Sequence, residues 1–248
     1  MKYETALVTG GSTGIGAALV RALVADGARV AVCARNAERL DALVGPLGDR
    51  ALAIAADVSD PARAEAVVAE AQERLGSLDL VVANAGTGHP VAGPDMTVAD
   101  ITTVLRLNVL GATATIAAGV RPMVERGRGH LVGVSSVAGN RGLPGSAAYC
   151  ASKAALSVFL ESLRVDLRGT GVRVTDIRPG FVDTPLTKKN DFPMPFLMGA
   201  DRAAGLMLRA MQKNRAVYTF PWQMAIGAWF LRHVPDALYD RLAGRFDV

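Results

Sequence analysis

Apolar residues in this chain follow two alternating rhythms. Short runs rich in Val, Ile, Leu and Ala fall at 5–9, 29–33, 51–55, 78–83, 130–134, 172–177 and 216–220. Runs of this length, bounded by Gly, Pro, Asn or Asp, predict buried strands. Between them, apolar positions three and four apart predict helices over 17–25, 38–47, 62–75, 100–118 and 149–168. Val67, Val68, Ala71 and Leu75 show that spacing in the third of these. Strand and helix alternate from the start, which argues for an α/β chain whose parallel sheet is covered on both faces. No linker, repeat or shift of composition interrupts the pattern, so residues 1–248 read as one domain.

Composition narrows the function classes. Half of the 248 residues are hydrophobic, enough for a sizeable core. The formal net charge is +4, but the basic residues are scattered and no run of five like charges occurs. A nucleic-acid surface is therefore not expected, whereas an anionic cofactor suits the balance. Cys33 and Cys150 make neither a disulfide framework nor a zinc site. His89, His130 and His233 lack ligand spacing, so no metal is expected. The start carries no signal-peptide core, and no apolar run approaches the ~20 residues of a membrane span. The expectation is a soluble cytoplasmic protein.

Chemistry begins where the first strand ends. Gly10, Ser12, Thr13, Gly14, Ile15 and Gly16 link that strand to a helix. A glycine turn there lets backbone approach a pyrophosphate, and the helix N-terminus offers oriented N–H donors. About twenty residues on, where an acidic residue would hold the ribose hydroxyls of NAD, the chain has Arg35. A guanidinium can fork onto a 2′-phosphate, which favours NADP(H) over NAD(H). Further along, Tyr149 and Lys153 stand four apart on a predicted helix and so share a face. A free tyrosine titrates near pH ~10, and a neighbouring ammonium lowers that value toward the working range. Ser136, returned by a loop containing Gly and Pro, adds a hydroxyl for a carbonyl oxygen. Such a set can hold a C=O or C–OH group and exchange its proton.

Taken in order, these residues resemble the short-chain dehydrogenase/reductase family. The match comprises Thr9-Gly10-x-x-x-Gly14-Ile15-Gly16, Asp57-Val58, Asn84-Ala85-Gly86, Asn108, Ser136, Tyr149-x-x-x-Lys153 and Pro179-Gly180-x-x-x-Thr184. The resemblance covers residues 5 to about 185 and implies a Rossmann-type, doubly wound sheet of about seven strands in three layers. It implies Tyr149 as general acid or base, with Lys153 lowering its pKa and holding the nicotinamide ribose. Ser136, thirteen residues before the tyrosine, would orient the carbonyl. Asn108 would position Lys153 through a water. Asp57 and Val58 would contact adenine, and Asn84, Ala85 and Gly86 would line the cofactor path. Pro179, Gly180, Val182 and Thr184 would seat the carboxamide.

Two segments lie beyond the motifs. Residues 185–200 carry Phe192, Met194, Phe196, Leu197 and Met198, and read either as an apolar substrate lid or as a loop packed on its own core. Residues 221–248 form an apolar extension. Seven of the thirteen aromatic residues follow position 217, and 225–231 is apolar nearly all round. Burial of residues 218–248 is therefore expected, against a second subunit or the substrate, with a bilayer surface as the third choice. The combined expectation is an NADPH-dependent reductase of a hydrophobic ketone or aldehyde, assembled as a homodimer or homotetramer. The alternative is a catalytically silent NADP(H)-binding sensor or scaffold on the same fold.

Overall fold

The structure is a computed structural model that describes residues 2–88 and 90–243. His89 and the last five positions, Phe246 among them, lie outside the described residues. The chain runs β1 (Thr5–Thr9), α1 (Gly14–Ala25), β2 (Arg29–Ala34), α2 (Ala37–Val44), β3 (Ala51–Ala55), α3 (Pro61–Leu75) and β4 (Leu80–Ala83). It continues with α4 (Val98–Leu105), a π-helical turn (Arg106–Gly111), α5 (Ala112–Glu125), β5 (Gly129–Val134), α6 (Ala147–Asp166) and β6 (Val172–Pro179). Last come β7 (Val182–Asp183), β8 (Met198–Gly199), α7 (Ala200–Gln212), β9 (Val217–Phe220), α8 (Trp222–His233) and α9 (Asp236–Ala243).

Seven strands form one parallel sheet in the order β3-β2-β1-β4-β5-β6-β9. Side-chain alternation assigns its two faces. Ala6, Val8, Val30, Val32, Val82, Val132 and Ile177 join α1 and α7 in one core. Leu7, Ala31, Cys33, Val81, Leu131 and Val174 join α3, α5 and α6 in the other. The result is the expected three-layer, Rossmann-type domain. Strand order reverses between β1 and β4, which opens a crevice at the carboxyl ends of the strands, where ligands of such sheets bind.

Departures from the expected elements have local causes. Helix α2 stops at Val44 because Gly45 and Pro46 lead into a 3-10 segment. The helix expected over 100–118 runs from 98 to 125 with a π turn in its middle. A capping box of Thr97 and Asp100 starts it two residues early. At 28 residues it is long and apolar enough, by length and composition, to cross a bilayer, a candidate the sequence expectation missed. Here Asn108, Thr115, Ile116, Gly119 and Met123 are buried against the protein, so it serves as a layer of the fold. Helix α7 had no counterpart among the expected elements, although Ala203, Ala204, Met207, Ala210 and Met211 repeat at helical spacing and are all buried.

His130 illustrates a buried polar group used structurally. Thr175 Oγ1 donates to the Arg215 carbonyl at 2.7 Å, so it accepts from His130 Nε2 at 2.8 Å. Nδ1 then accepts from the Tyr3 hydroxyl at 2.7 Å, which fixes a neutral ring. Burial, aided by the Arg173 charge, holds the imidazole down at about 3. A base whose folded pKa is depressed stabilises the fold above its unfolded value, near 6.5, and loses that contribution as pH falls. Unfolding free energy should drop by about 1 kcal/mol from this group between pH 6.5 and 5.5. Urea titrations at both values should show that drop and show it missing in His130→Gln.

Candidate functional site

The glycine turn is a cradle built from close backbone contacts. Gly10 and Gly14 have φ of 64° and 54°, the left-handed region. A Cβ on Gly16 would stand 2.2 Å from the Gly10 carbonyl oxygen. Asn84, from the exit of β4, clamps the turn from below: its Nδ2 donates to the carbonyls of Thr9 at 3.0 Å and Gly10 at 3.1 Å. Thr9 Oγ1 accepts in return from the N–H groups of Asn84 and Ala85. Helix α1 begins at Gly14 with no side-chain cap from Thr13. Its first N–H donors are therefore left to face an anion.

An open cleft of roughly 1300 Å³, solvent mouth included, runs over this turn and along the carboxyl edge of the sheet. Gly10, Ser12, Thr13, Gly14, Ile15 and Gly16 line it, as do Arg35, Asp57, Val58, Asn84, Ala85 and Gly86. The far end is formed by Ser136, Tyr149, Lys153, Pro179, Gly180, Val182 and Thr184. Of the expected site residues, only Asn108 is not a lining residue; it lies directly behind the wall, fully buried. The cleft thus has anion-ready donors at its centre and a proton-transfer set at one end. Both features fit a pyrophosphate-linked dinucleotide.

At the opposite end, Arg35 is 74% exposed and its guanidinium lies 3.9 Å from the Asp57 carboxylate. Burial pushes the Asp57 carboxyl up, but the Ser59 N–H and hydroxyl and the Arg35 charge outweigh it, leaving it below the usual value. Its Oδ1 accepts from Ser59 N at 2.9 Å, so it also starts a turn. Arg39, which the sequence expectation passed over, lines the same end of the cleft from the first turn of α2. The signal was available: Asn36 caps α2 by accepting from Arg39 N, which orients that turn toward the crevice.

The other end gathers Asn108, Ser136, Tyr149 and Lys153 from three elements: the π turn, the β5 exit and α6. The π turn buries Asn108, whose Nδ2 donates to the Thr87 carbonyl at 2.8 Å and to Ser152 Oγ at 3.0 Å. Its Oδ1 accepts from Thr87 N. Ser152 Oγ donates in turn to the Tyr149 carbonyl at 2.7 Å, so the π turn is tied to α6 beside the tyrosine. Sequence reasoning missed Ser152, because a serine inside a helix carries no signal of its own. Gly111 closes the same turn on the loop after β3; a Cβ there would sit 1.9 Å from the Val58 carbonyl oxygen. Gly88 likewise lets the β4 exit pass against the tyrosine ring, with 2.5 Å between its would-be Cβ and Tyr149 Cδ2.

Electrostatics here differ from the sequence expectation in one respect. The Tyr149 phenol is raised, first by burial and slightly by Cys150, while its hydrogen bond with Ser136 pulls it down. The expected lowering by Lys153 is absent from this arrangement. Lys153 Nζ instead donates to the Val134 carbonyl at 2.9 Å, and lies 5.7 Å from the ring centroid. Burial drives Lys153 down to about 8, and Asp176 raises it in opposition. Ser136 Oγ accepts from Ala138 N at 3.1 Å and contacts the Pro179 carbonyl at 3.5 Å, which places it between α6 and the β6 exit. Cys150 is buried and its thiol is pushed up, in keeping with a packing residue rather than a nucleophile.

The two outlying segments divide. Thr184 and Thr187 bond one another in a local turn, and the Thr184 methyl lies over Gly14. In the 185–200 segment, Met198 is buried and β8 pairs with β7, whereas Phe192, Phe196 and Leu197 stay exposed. The extension is not buried by the chain's own core. Phe220 is buried, but Trp222, Trp229 and Phe230 are 67%, 59% and 61% exposed, and α8 buries no residue within the chain. Trp222, Ile226, Trp229 and Phe230 fall on one helical face, turned to solvent. Polar anchors hold the extension instead. Arg141 donates to the carbonyls of Leu231 at 3.0 Å and Val234 at 2.6 Å, pairs with Asp236 at 2.7 Å, and stacks on Tyr239 at 4.1 Å. Tyr239 donates to the Gly142 carbonyl. The loop that follows Ser136 therefore carries the extension.

A doubly wound sheet with a glycine cradle at its switch point, and a half-buried Tyr149 with a buried Lys153 in the same cleft, defines an oxidoreductase that uses a nicotinamide dinucleotide. The chain belongs to the short-chain dehydrogenase/reductase family: the short chain dehydrogenase model matches residues 4–193. A Myxococcus xanthus protein described as an uncharacterized oxidoreductase is 47% identical over 99% of this chain and 98% of its own. Among solved structures, 3-ketoacyl-(acyl-carrier-protein) reductase from Brucella melitensis, complexed with NADH, is 26% identical, with a TM-score of 0.81 over 88% of this chain and 97% of that one. A short chain dehydrogenase/reductase from Burkholderia phymatum, in complex with NAD, shares the fold, with a TM-score of 0.88 at 24% identity over 96% and 95% of the two chains.

Proposed function

We propose that the protein is an NADPH-dependent carbonyl reductase acting on a mostly hydrophobic ketone or aldehyde. The observation that carries this reading is the single cleft that joins the glycine cradle and Arg35 at one end to Ser136, Tyr149 and Lys153 at the other. A bound nicotinamide supplies the hydride. Ser136 donates a hydrogen bond to the substrate oxygen, and Tyr149 gives that oxygen its proton as negative charge develops. Lys153, buried beside the tyrosine, would hold the nicotinamide ribose. Asn108 fixes the π turn against α6, which keeps Thr87, Ser152 and the tyrosine helix in register. Asp57 and Val58 would hold the adenine, and Pro179, Gly180, Val182 and Thr184 would hold the carboxamide. Val91, Met96 and Val104 surround the outer side of Tyr149, and the exposed Phe192 and Phe196 extend apolar surface from the 185–200 segment. Both features favour an apolar substrate.

NADP(H) rather than NAD(H) is the cofactor in this reading, although the two solved relatives carry NAD and NADH. Two guanidinium groups, Arg35 and Arg39, line the cleft and support this reading. Turnover of NADPH against ketones, aldehydes and quinones of graded chain length tests the proposal. Rates should rise with apolar chain length, and an absence of turnover across such a panel would leave a binding scaffold in its place.

The aromatic stripe on α8 we assign to a second copy of the chain, in a homodimer or homotetramer. Deleting residues from 222 onward should lower the mass in solution and reduce turnover. An unchanged assembly with full activity would remove this assignment, and liposome binding lost on deletion would transfer the stripe to a membrane surface.

A further inference from the structure

Lys153 is held by the carbonyl of Val134, the last residue of β5, and the residue after it has a role outside the site so far described. Ser135 is buried, its N–H donates to the Ile177 carbonyl at 2.8 Å, and its hydroxyl donates to Oδ1 of Asp176. Oδ2 of the same carboxylate takes Arg178 Nε at 2.6 Å. Asp176 lies opposite Gly133 in the β5–β6 register, and its side chain is only 4% exposed. It occupies the sheet face that packs on α6, where its neighbour two positions back, Val174, is aliphatic and in the core. A carboxylate in such a layer is costly unless both oxygens are satisfied, as they are here. A valine at 176 would fill the layer without that cost.

We propose that Asp176 is a positioning residue for Lys153: through Ser135 it fixes the β5 exit that presents the Val134 carbonyl, and it supplies the buried counter-charge to the ammonium. The proposal rests on Tyr149 and Lys153 being the proton-transfer pair. Burial drives the Lys153 ammonium down to about 8, and Asp176 is the group that raises it. The charged and titratable groups around Lys153 are few. Strand β6 presents Asp176, with Arg178 bonded to it; α6 itself presents Tyr149 and Cys150. The π turn and the β4 exit present the neutral Asn108 and Gly86. Asp176 thus acts on Lys153 twice, by geometry through the strand exit and by charge through the layer.

The chain has only five lysines, Lys2, Lys153, Lys188, Lys189 and Lys213, so each can be followed by NMR of protein labelled at lysine Cε. In Asp176→Asn, which retains an acceptor for Ser135, the Lys153 signal should titrate about one pH unit lower than in the wild type. At pH 8 that shift cuts the charged fraction about fivefold, and reductive kcat should fall with it while KM stays put. Arg178→Gln, which unscreens the carboxylate, should move the titration upward. Ser135→Ala should lower kcat yet leave the titration near its wild-type value. An unmoved Lys153 titration in Asp176→Asn overturns the proposal. Should that variant fail to fold, a titration in Arg178→Gln that stays put or moves down does the same. The titration needs no substrate, so it stands apart from whether the carbonyl-reductase reading holds.

Discussion

Tyr149→Phe should bind NADPH as the wild type does and lose most of its turnover, by about 10²–10⁴-fold. The substitution removes one oxygen and keeps the ring. That ring is what the surrounding chain touches: the β4 exit passes against Cδ2 at Gly88, and Lys153 lies near its centroid. Packing is therefore retained, and the loss reports on the proton. The phenol is raised by burial before any ligand arrives, so it is fully protonated at neutral pH and ready as an acid. Reduction needs that form, whereas oxidation of the alcohol needs the phenolate. Tyr149→Phe should accordingly remove both directions, with KM for NADPH unchanged. Cofactor fluorescence titration and steady-state rates check the two halves separately. A Phe variant with wild-type kcat would transfer the proton donor to another group.

The fold was legible because apolar runs and helical spacing repeat without interruption. All seven strands of the main sheet fall where short Val- and Ala-rich runs stand. Helix α7 was not, since Ala203, Ala204 and Ala210 are weak markers of an apolar stripe and the segment before it suggested loop. Motif residues were legible for a different reason: each sits at a strand exit or on one helix face, and the topology delivers all strand exits to one edge. What spacing could not show was the second layer of contacts. Ser152 links the π turn to Tyr149, and Ser135 links β5 to Asp176. Both depend on register between elements more than forty positions apart. The direction of the tyrosine shift was also out of reach, because it turns on how deeply the ring is buried and on where Lys153 Nζ points. What the extension packs against was out of reach for a related reason. Aromatic content says that a surface is apolar, but only the helix orientation says whether the chain's own core covers it.

Arg35→Ala should weaken NADPH binding by about ten- to a hundredfold and leave NADH nearly unchanged. In the chain as it stands, Arg35 spends its charge on Asp57 at 3.9 Å, in a pair that is largely exposed. Such pairs are worth only about 0–1 kcal/mol, so the guanidinium is free to turn to a better partner. A 2′-phosphate is that partner: it carries more charge than a carboxylate and accepts the guanidinium fork on two oxygens. Hydrogen bonds to charged groups contribute roughly 1.5–3 kcal/mol, which sets the expected ratio. The site is open to solvent, which favours the lower half of that range. Arg39 on α2 lines the same end and should account for a residual preference in Arg35→Ala, so the double variant with Arg39→Ala should equalise the two cofactors. NADH should be indifferent or slightly helped, because Asp57 without Arg35 is left free to accept from a ribose hydroxyl. Dissociation constants for both cofactors, measured across a range of salt, give the answer: the NADPH advantage of the wild type should shrink as salt rises, and the variant should show little such dependence. Equal wild-type affinities for NADPH and NADH at low salt would mean that neither guanidinium reads the 2′-phosphate.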